Sequence, residues 1–212
     1  MRRSVILLLG VIIWLTGGVL LAQNIAWDKL VSFFQYQDSL HVNLDEIYLT
    51  RLENWEEPGL LELPQHLRSE LIRPYYFATH PGQQQEADWM ASSLYQDELY
   101  SYAYQDLKEG GHAMILLGQG NHGPYLLLLT YDKQNAFQDA LTLYADYARQ
   151  GMADQTRSQW LDNETLKVQV SSTWEDQALR QIRTDTAQYY YQIQANGQIV
   201  ELPQISKRGP NR

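Results

Sequence analysis

The chain has no cysteine among its 212 residues. That excludes disulfides, a thiol nucleophile, cysteine metal ligands and a lipid-modified cysteine anchor. Basic residues are also scarce: 16 Lys and Arg stand against 25 Asp and Glu, a net charge of −9. Binding to nucleic acid or to an anionic membrane surface needs basic patches, so no nucleic-acid partner is expected. Histidine is sparse, and His41, His66, His80, His112 and His122 form neither an H-x-H nor an H-x-x-x-H pair. No metal site and no cofactor are therefore expected. No serine sits on a glycine elbow, since Ser92-Ser93 and Ser171-Ser172 lack the flanking glycines.

An apolar run near the start carries no charge. Val5 to Ala22 (VILLLGVIIWLTGGVLLA) is 18 residues long and follows Arg2 and Arg3. A basic start before an apolar run is an export signal or a membrane anchor, with the arginines on the cytoplasmic side. As a helix it would span about 27 Å, just short of a hydrocarbon core of about 30 Å. Gly17, Gly18 and Ala22 favour cleavage before Gln23; Leu20 at the minus-three position and the length of the run oppose it. The twin arginine lacks the flanking residues of a twin-arginine signal. We expect residues 1–22 to be a signal peptide or anchor, 23–202 one exported globular domain and 203–212 a polar, basic tail. The domain is expected to be periplasmic, outer-membrane-associated or extracellular, or anchored to the inner membrane if the run is retained. Without Arg2 and Arg3 the net charge falls from −9 to −11.

The globular part changes character near residue 95. Before it, Trp27, Leu30, Val31 and Phe34 lie at i, i+3, i+4, i+7, one face of a short helix over 25–36. Pro58, Gly59, Pro64, Pro74, Pro81 and Gly82 punctuate 54–81, which predicts a loop-rich wrap without long helices. Ala87, Met90, Ala91 and Leu94 suggest a second short helix over 84–95. After it the pattern is β. Strands are expected over 99–107, with Tyr100, Tyr102 and Tyr104 on one side, and over 112–117, 125–131, 136–144, 158–161, 166–171, 188–193 and 199–202. Turn residues separate them: Asp132-Lys133-Gln134-Asn135, Asp162-Asn163-Glu164 and Asn196-Gly197. The expected fold class is α+β and β-dominated. It is an antiparallel meander of about six to eight strands with short N-terminal helices. An outer-membrane barrel is disfavoured by the continuous apolar runs and the proline-rich first third.

The run Tyr125-Leu-Leu-Leu-Leu-Thr-Tyr-Asp132, then Phe137-Gln-Asp-Ala-Leu141, and finally Asn196-Gly197-Gln198-Ile199-Val200-Glu201-Leu202 resemble exported bacterial envelope proteins of uncharacterised activity. The resemblance covers about residues 95–202. It departs at Asn135-Ala136, where a glycine is usual. It implies fold and location and no activity.

Gly118-Gln-Gly120-Asn-His-Gly123 matches G-x-G-x-x-G, with Asp139 about twenty residues on. A dinucleotide site needs a helix directly after the glycines. Pro124 and an apolar strand follow instead, so the motif reads as a flexible hairpin loop. If that hairpin closes at Gly118 and Gly123, His112 pairs near Leu129. Glu53, Glu56 and Glu57 beside Trp55, and the pair Asp97-Glu98, are read as solvated acids, because sequence neighbours do not face each other across a cleft.

No catalytic constellation emerges. The expected function is a non-catalytic binding or accessory protein of the envelope, with a protein or glycan partner met by sheet edges and aromatics. The 15 tyrosines and six tryptophans also serve sheet packing. The candidate contact residues are Trp55, Trp89, Asn121, His122 and Tyr125. Two alternatives stay open: a hydrolase acting on envelope polymers, and a membrane-anchored subunit of an envelope complex.

Overall fold

The computed structural model describes residues 29–36, 61–83, 85–120, 123–149, 152–176 and 181–203. The Val5–Ala22 run, Trp27, Trp55 and the acids Glu53, Glu56 and Glu57 lie outside them, as do Asn121 and His122. Among the described residues no helix is long and apolar enough to cross a membrane.

Two short strands, β1 (Gln35–Tyr36) and β2 (Leu61–Glu62), precede three helices, α1 (Gln65–Thr79), α2 (Glu86–Ala91) and α3 (Ser93–Gln96). A meander follows: β3 (Glu98–Asp106), β4 (His112–Gly120), β5 (Gly123–Tyr131), β6 (Phe137–Arg149), β7 (Met152–Trp160), β8 (Thr165–Asp176), β9 (Gln181–Ile193) and β10 (Ile199–Leu202). From β3 to β10 each strand pairs antiparallel with the next. β1 joins the far edge of β3 in parallel, and β2 joins it antiparallel. The architecture is the β-dominated antiparallel meander expected: its strands β3 to β10 number eight, as expected, and the short β1 and β2 add to its edge. The outer halves of β7 and β8 are polar and mostly half-buried and that of β9 is polar and exposed, so no apolar pattern announces their length.

The turns form as their residues dictate. Asp132 Oδ1 accepts from the Gln134 and Ala136 amides at 2.8 and 3.0 Å, and Asn135 takes a left-handed φ of 62°. Asp162 Oδ1 accepts from Glu164 and Thr165, and Asn196 Oδ1 from Gln198 beside Gly197 at φ 91°. Short polar side chains bond their own turn backbone in this way, and asparagine and glycine tolerate positive φ.

Three expectations are corrected. The proline-punctuated segment contains α1, a helix of 15 residues with Pro74 inside it. Pro74 is exposed, while Leu67, Leu71, Ile72 and Tyr76 bury the opposite stripe, and that burial outweighs one missing backbone bond. Tyr131 Oη donates to Leu71 O at 3.0 Å and ties α1 to β5. The 84–95 segment is two helices rather than one. It buries Trp89, while Met90 and Ala91 face solvent. A bulge at Tyr102 breaks the tyrosine stripe of β3, sending Tyr102 and Tyr104 into different cores.

The central strands are apolar on both faces, and each face has its own core. On one, Met114 and Leu116 of β4 and Leu127 and Leu129 of β5 pack under Leu67, Leu71, Ile72 and Trp89 of the helices. On the other, Ala113, Ile115, Leu126 and Leu128 meet Trp160, Leu166 and Ile193. Those three residues come from β7, β8 and β9, so the sheet rolls over to cover its own centre. Long-range bonds hold the roll. Thr130 Oγ1 donates to Gly197 O at 2.5 Å, the Ile199 amide to Asp139 Oδ2 at 3.1 Å, and Lys108 pairs with Glu164.

A flat sheet would leave Ile193 in solvent, whereas here it is 4% exposed. Ile193→Ala should therefore cost about 2–5 kcal/mol, the range for a truncated core aliphatic, in urea unfolding. A loss below about 0.5 kcal/mol would contradict the rolled arrangement.

Candidate functional site

The glycine motif is structural, and each described glycine in it has a task. Gly118 and Gly120 lie within β4, and Gly123 opens β5 and pairs with Gly120. The hairpin therefore closes two residues further out than expected, and His112 pairs with Tyr131 rather than near Leu129. A Cβ at Gly118 would sit 2.1 Å from the Tyr125 ring across the ladder. One at Gly120 would sit 2.8 Å from both carboxylate oxygens of Asp97. Gly123 has φ 111°, with the Asp146 carbonyl 2.6 Å from where its Cβ would be. The glycines carve a trough that receives a tyrosine ring and a carboxylate.

Asp97 is the unexpected residue. Read from the chain as a solvated acid beside Glu98, it is 7% exposed, while Glu98 faces solvent. It caps α3, its amide donating to Ser93 O at 2.9 Å, and the chain then enters β3. The pairing of Glu98 with Gln119 places Asp97 against Gly120. Arg68 Nη1 of α1 donates to the Asp97 main-chain oxygen at 2.5 Å, and Arg68 Nε is buried without a partner. Tyr125 Oη donates to Asp97 Oδ2 at 3.0 Å. A buried ionised carboxylate is costly unless hydrogen-bonded, and this bond offsets part of that cost.

Asp97 forms part of the wall of a cleft of about 100 Å³. Tyr75 of α1, Tyr125 of β5, and Thr142 and Tyr147 of β6 surround it, with Ser93 and Leu94 of α3 on the helical side. Two of the phenols, Tyr125 and Tyr147, feel the charge of the acid directly. Burial pushes the Tyr125 hydroxyl far above the ordinary tyrosine range, and the charge of Asp97 and its hydrogen bond push it further. Tyr147 is raised by burial and then by Asp97; Tyr75 by burial and then by Tyr147. All three therefore remain protonated at neutral pH. They act as hydrogen-bonding groups and not as bases.

A wider hollow of about 340 Å³ lies on the other side of Ser93 and Leu94. Its polar groups bond one another: Tyr76 Oη is 2.5 Å from Gln83 Oε1 and 3.1 Å from Asp88 O. Among the described residues no three His, Asp or Glu side chains are grouped to hold a metal ion.

Of the candidates read from the chain, Tyr125 is brought into the cleft, though as a buried wall and not as an exposed aromatic. Trp89 is 1% exposed and packs against Tyr76 and Tyr95 at 5.5 Å, so it presents no contact surface. Trp55, Asn121 and His122 lie outside the described residues. Asp97, Tyr75, Thr142 and Tyr147 were missed. The signal available was two glycines inside an apolar strand, which mark a close approach by another group. No family model, curated protein or solved structure matches the chain.

The coupling of Tyr147 to Asp97 gives a signed prediction. A negative neighbour disfavours phenolate, so Asp97→Asn should lower the Tyr147 titration point toward the ordinary tyrosine value. Carbon-13 NMR of labelled tyrosine rings reads this directly. An unchanged or raised titration point would mean that the two groups do not face one cleft.

Proposed function

We propose that the protein is an exported, non-catalytic binding protein whose site is the cleft around Asp97. The observation that carries this reading is the chemistry of the lining: one buried carboxylate among three tyrosine hydroxyls held protonated. Hydrolysis by general acid and base needs two groups poised on either side of neutrality. Among the described residues that line it, the cleft offers one carboxylate and three phenols whose acidity burial lowers below the ordinary tyrosine range. A set of fixed donors and acceptors around a charge suits recognition.

The sheet beside the cleft offers room for the rest of a ligand or partner. The ladders place Tyr147, Asp154, Ser172 and Asp185 in one cross-strand row, with Met152, Trp174 and Arg183 in the next. Tyr147 is 37% and Met152 51% exposed. A protein segment or glycan lying over β7 to β9 would meet apolar and acidic side chains and could place one group in the cleft. Export rests on Arg2, Arg3 and the Val5–Ala22 run, and retention of that run would make the same domain a membrane-anchored subunit.

A thermal-shift screen with small amines, carboxylates and sugars tests this reading, using the wild type and Thr142→Phe, which fills the cleft. Circular dichroism verifies that the variant folds. At least one solute class should raise the Tm of the wild type by a few degrees and leave the variant unmoved. Equal shifts in both proteins would place binding elsewhere. Release of product from glycan or peptide polymers, lost in Asp97→Asn, would establish the hydrolase instead.

A further inference from the structure

We infer that two copies of the chain pair through β9, edge to edge and antiparallel, to form a symmetric dimer. The inference is independent of the cleft and of its ligand.

The first argument is an open edge. β9 has 13 residues, and β10, the last strand of the sheet, has four, which pair with residues 190–193. Among the described residues no strand pairs with 181–187 on the side away from β8, and 181–186 are exposed. The Ile193 amide donates to Glu164 O at 2.8 Å, toward β8, and the register of β8 on β9 runs without a shift. Backbone groups alternate sides along an antiparallel strand. The N–H and C=O of Ile182, Thr184 and Thr186 therefore point outward, on the side where Tyr190 and Gln192 meet β10. Such an edge is a template for another strand, and proteins guard it with proline, lysine or a bulge. Residues 181–187 (QIRTDTA) hold no proline or lysine, and β9 has no bulge.

The second argument is self-complementarity. A two-fold axis at Thr184 sets Thr184 of one copy against Thr184 of the other, Ile182 against Thr186, and Arg183 against Asp185. At the first two positions the outward backbone groups meet. The third is a non-hydrogen-bonded position, where side chains come closest. Opposite charges facing across strands stabilise the pair, and like charges oppose it. Arg183 and Asp185 face each other twice, once on either side of the axis. A guanidinium has five N–H donors, enough to serve the carboxylate of the other copy besides acceptors of its own chain. The neighbouring registers are worse. An axis at Arg183 opposes that residue to itself, and one at Asp185 opposes two carboxylates. An axis at Thr186 carries Ile182 onto Tyr190, which Leu202 of β10 already holds.

The third argument is Ile182. At 77% it is the most exposed of the described large apolar side chains. Thr184 and Thr186 share its face, bonded to Thr173 and Ser171 of β8 at 3.0 and 3.1 Å. Pairing sets Ile182 beside Thr186 of the other copy and removes part of it from water. The two-fold uses each β9 edge once, so pairing stops at two copies.

The test uses the full chain in mild detergent, which keeps the Val5–Ala22 run in solution. Sedimentation velocity should show a monomer at low concentration giving way to a dimer as concentration rises. Thr184→Pro removes an outward N–H and none toward β8, and Asp185→Arg sets Arg183 against a like charge. Each should fold by circular dichroism and weaken the dimer tenfold or more. Arg183→Asp combined with Asp185→Arg should restore it. Because the chain has no cysteine, single thiols report the register. Thr184→Cys, with a Cα separation of about 5.5 Å across the axis, should form a disulfide-linked dimer with dissolved oxygen as oxidant. Ile182→Cys, whose two copies lie about 13 Å apart along the strands, and the exposed control Met90→Cys should not. A monomer at every concentration would overturn the inference. So would a dimer that survives both Thr184→Pro and Asp185→Arg, or a cross-link at Ile182→Cys as fast as at Thr184→Cys.

Discussion

Two adjacent strands, β4 and β5, are apolar on both faces, and the rest of the molecule is arranged around covering them. Leu116 and Leu117 on β4, and Leu127 and Leu128 on β5, point to opposite sides, and all four are buried. Strands of this kind usually lie in sheets covered by helices on both faces. Here the helices precede the meander and cover one face. The other is covered by the sheet itself, which rolls until Trp160, Leu166 and Ile193 reach the centre. The roll needs local breaks in regularity, and bulges occur at Tyr102 on β3 and at Leu143 and Gln138 on β6. Such bulges increase twist and bend a strand.

The cleft is a consequence of the same arrangement. At the end of β4 the apolar run gives way to glycines, and the helical layer returns to the sheet through Asp97. Without side chains at Gly118 and Gly120 there is room for the Tyr125 ring and the Asp97 carboxylate at the boundary between the helix-covered part of the sheet and its exposed extension. A charge is thus buried at the margin of the core. Such a position exacts a cost in stability that packing alone would not select, and under the proposed function recognition of a ligand accounts for it.

Much of the fold was legible in the chain because its signals are local. Asn196-Gly197, Asp132 and Asp162 encode their turns within a few residues, and Leu166 and Val168 alternate as a half-wet strand should. Other features were not legible, because they depend on distant residues. Pro74 argued against α1, and only the apolar surface supplied by β4 and β5 reverses that argument. The outer halves of β7 to β9 are rich in Gln, Thr, Ser and Asp, and neighbouring strands hold them in the sheet, whereas an apolar pattern would be needed to announce them. Asp97 illustrates the same limit at the site. Its neighbours Gln96 and Glu98 are polar, so the local composition reads as solvated surface. Its burial is set by Gly120, 23 positions along the chain, through the register of β3 on β4.

Asp97 and Tyr125 form one buried unit beneath a cleft. A double-mutant cycle on folding stability, with Asp97→Asn, Tyr125→Phe and the pair, tests it most directly. A buried hydrogen bond to a charged acceptor should give a coupling energy of about 1–3 kcal/mol, with the double variant less destabilised than the sum of the singles. Additivity within about 0.3 kcal/mol would mean that the two side chains do not interact, and the site built on them would fall with it.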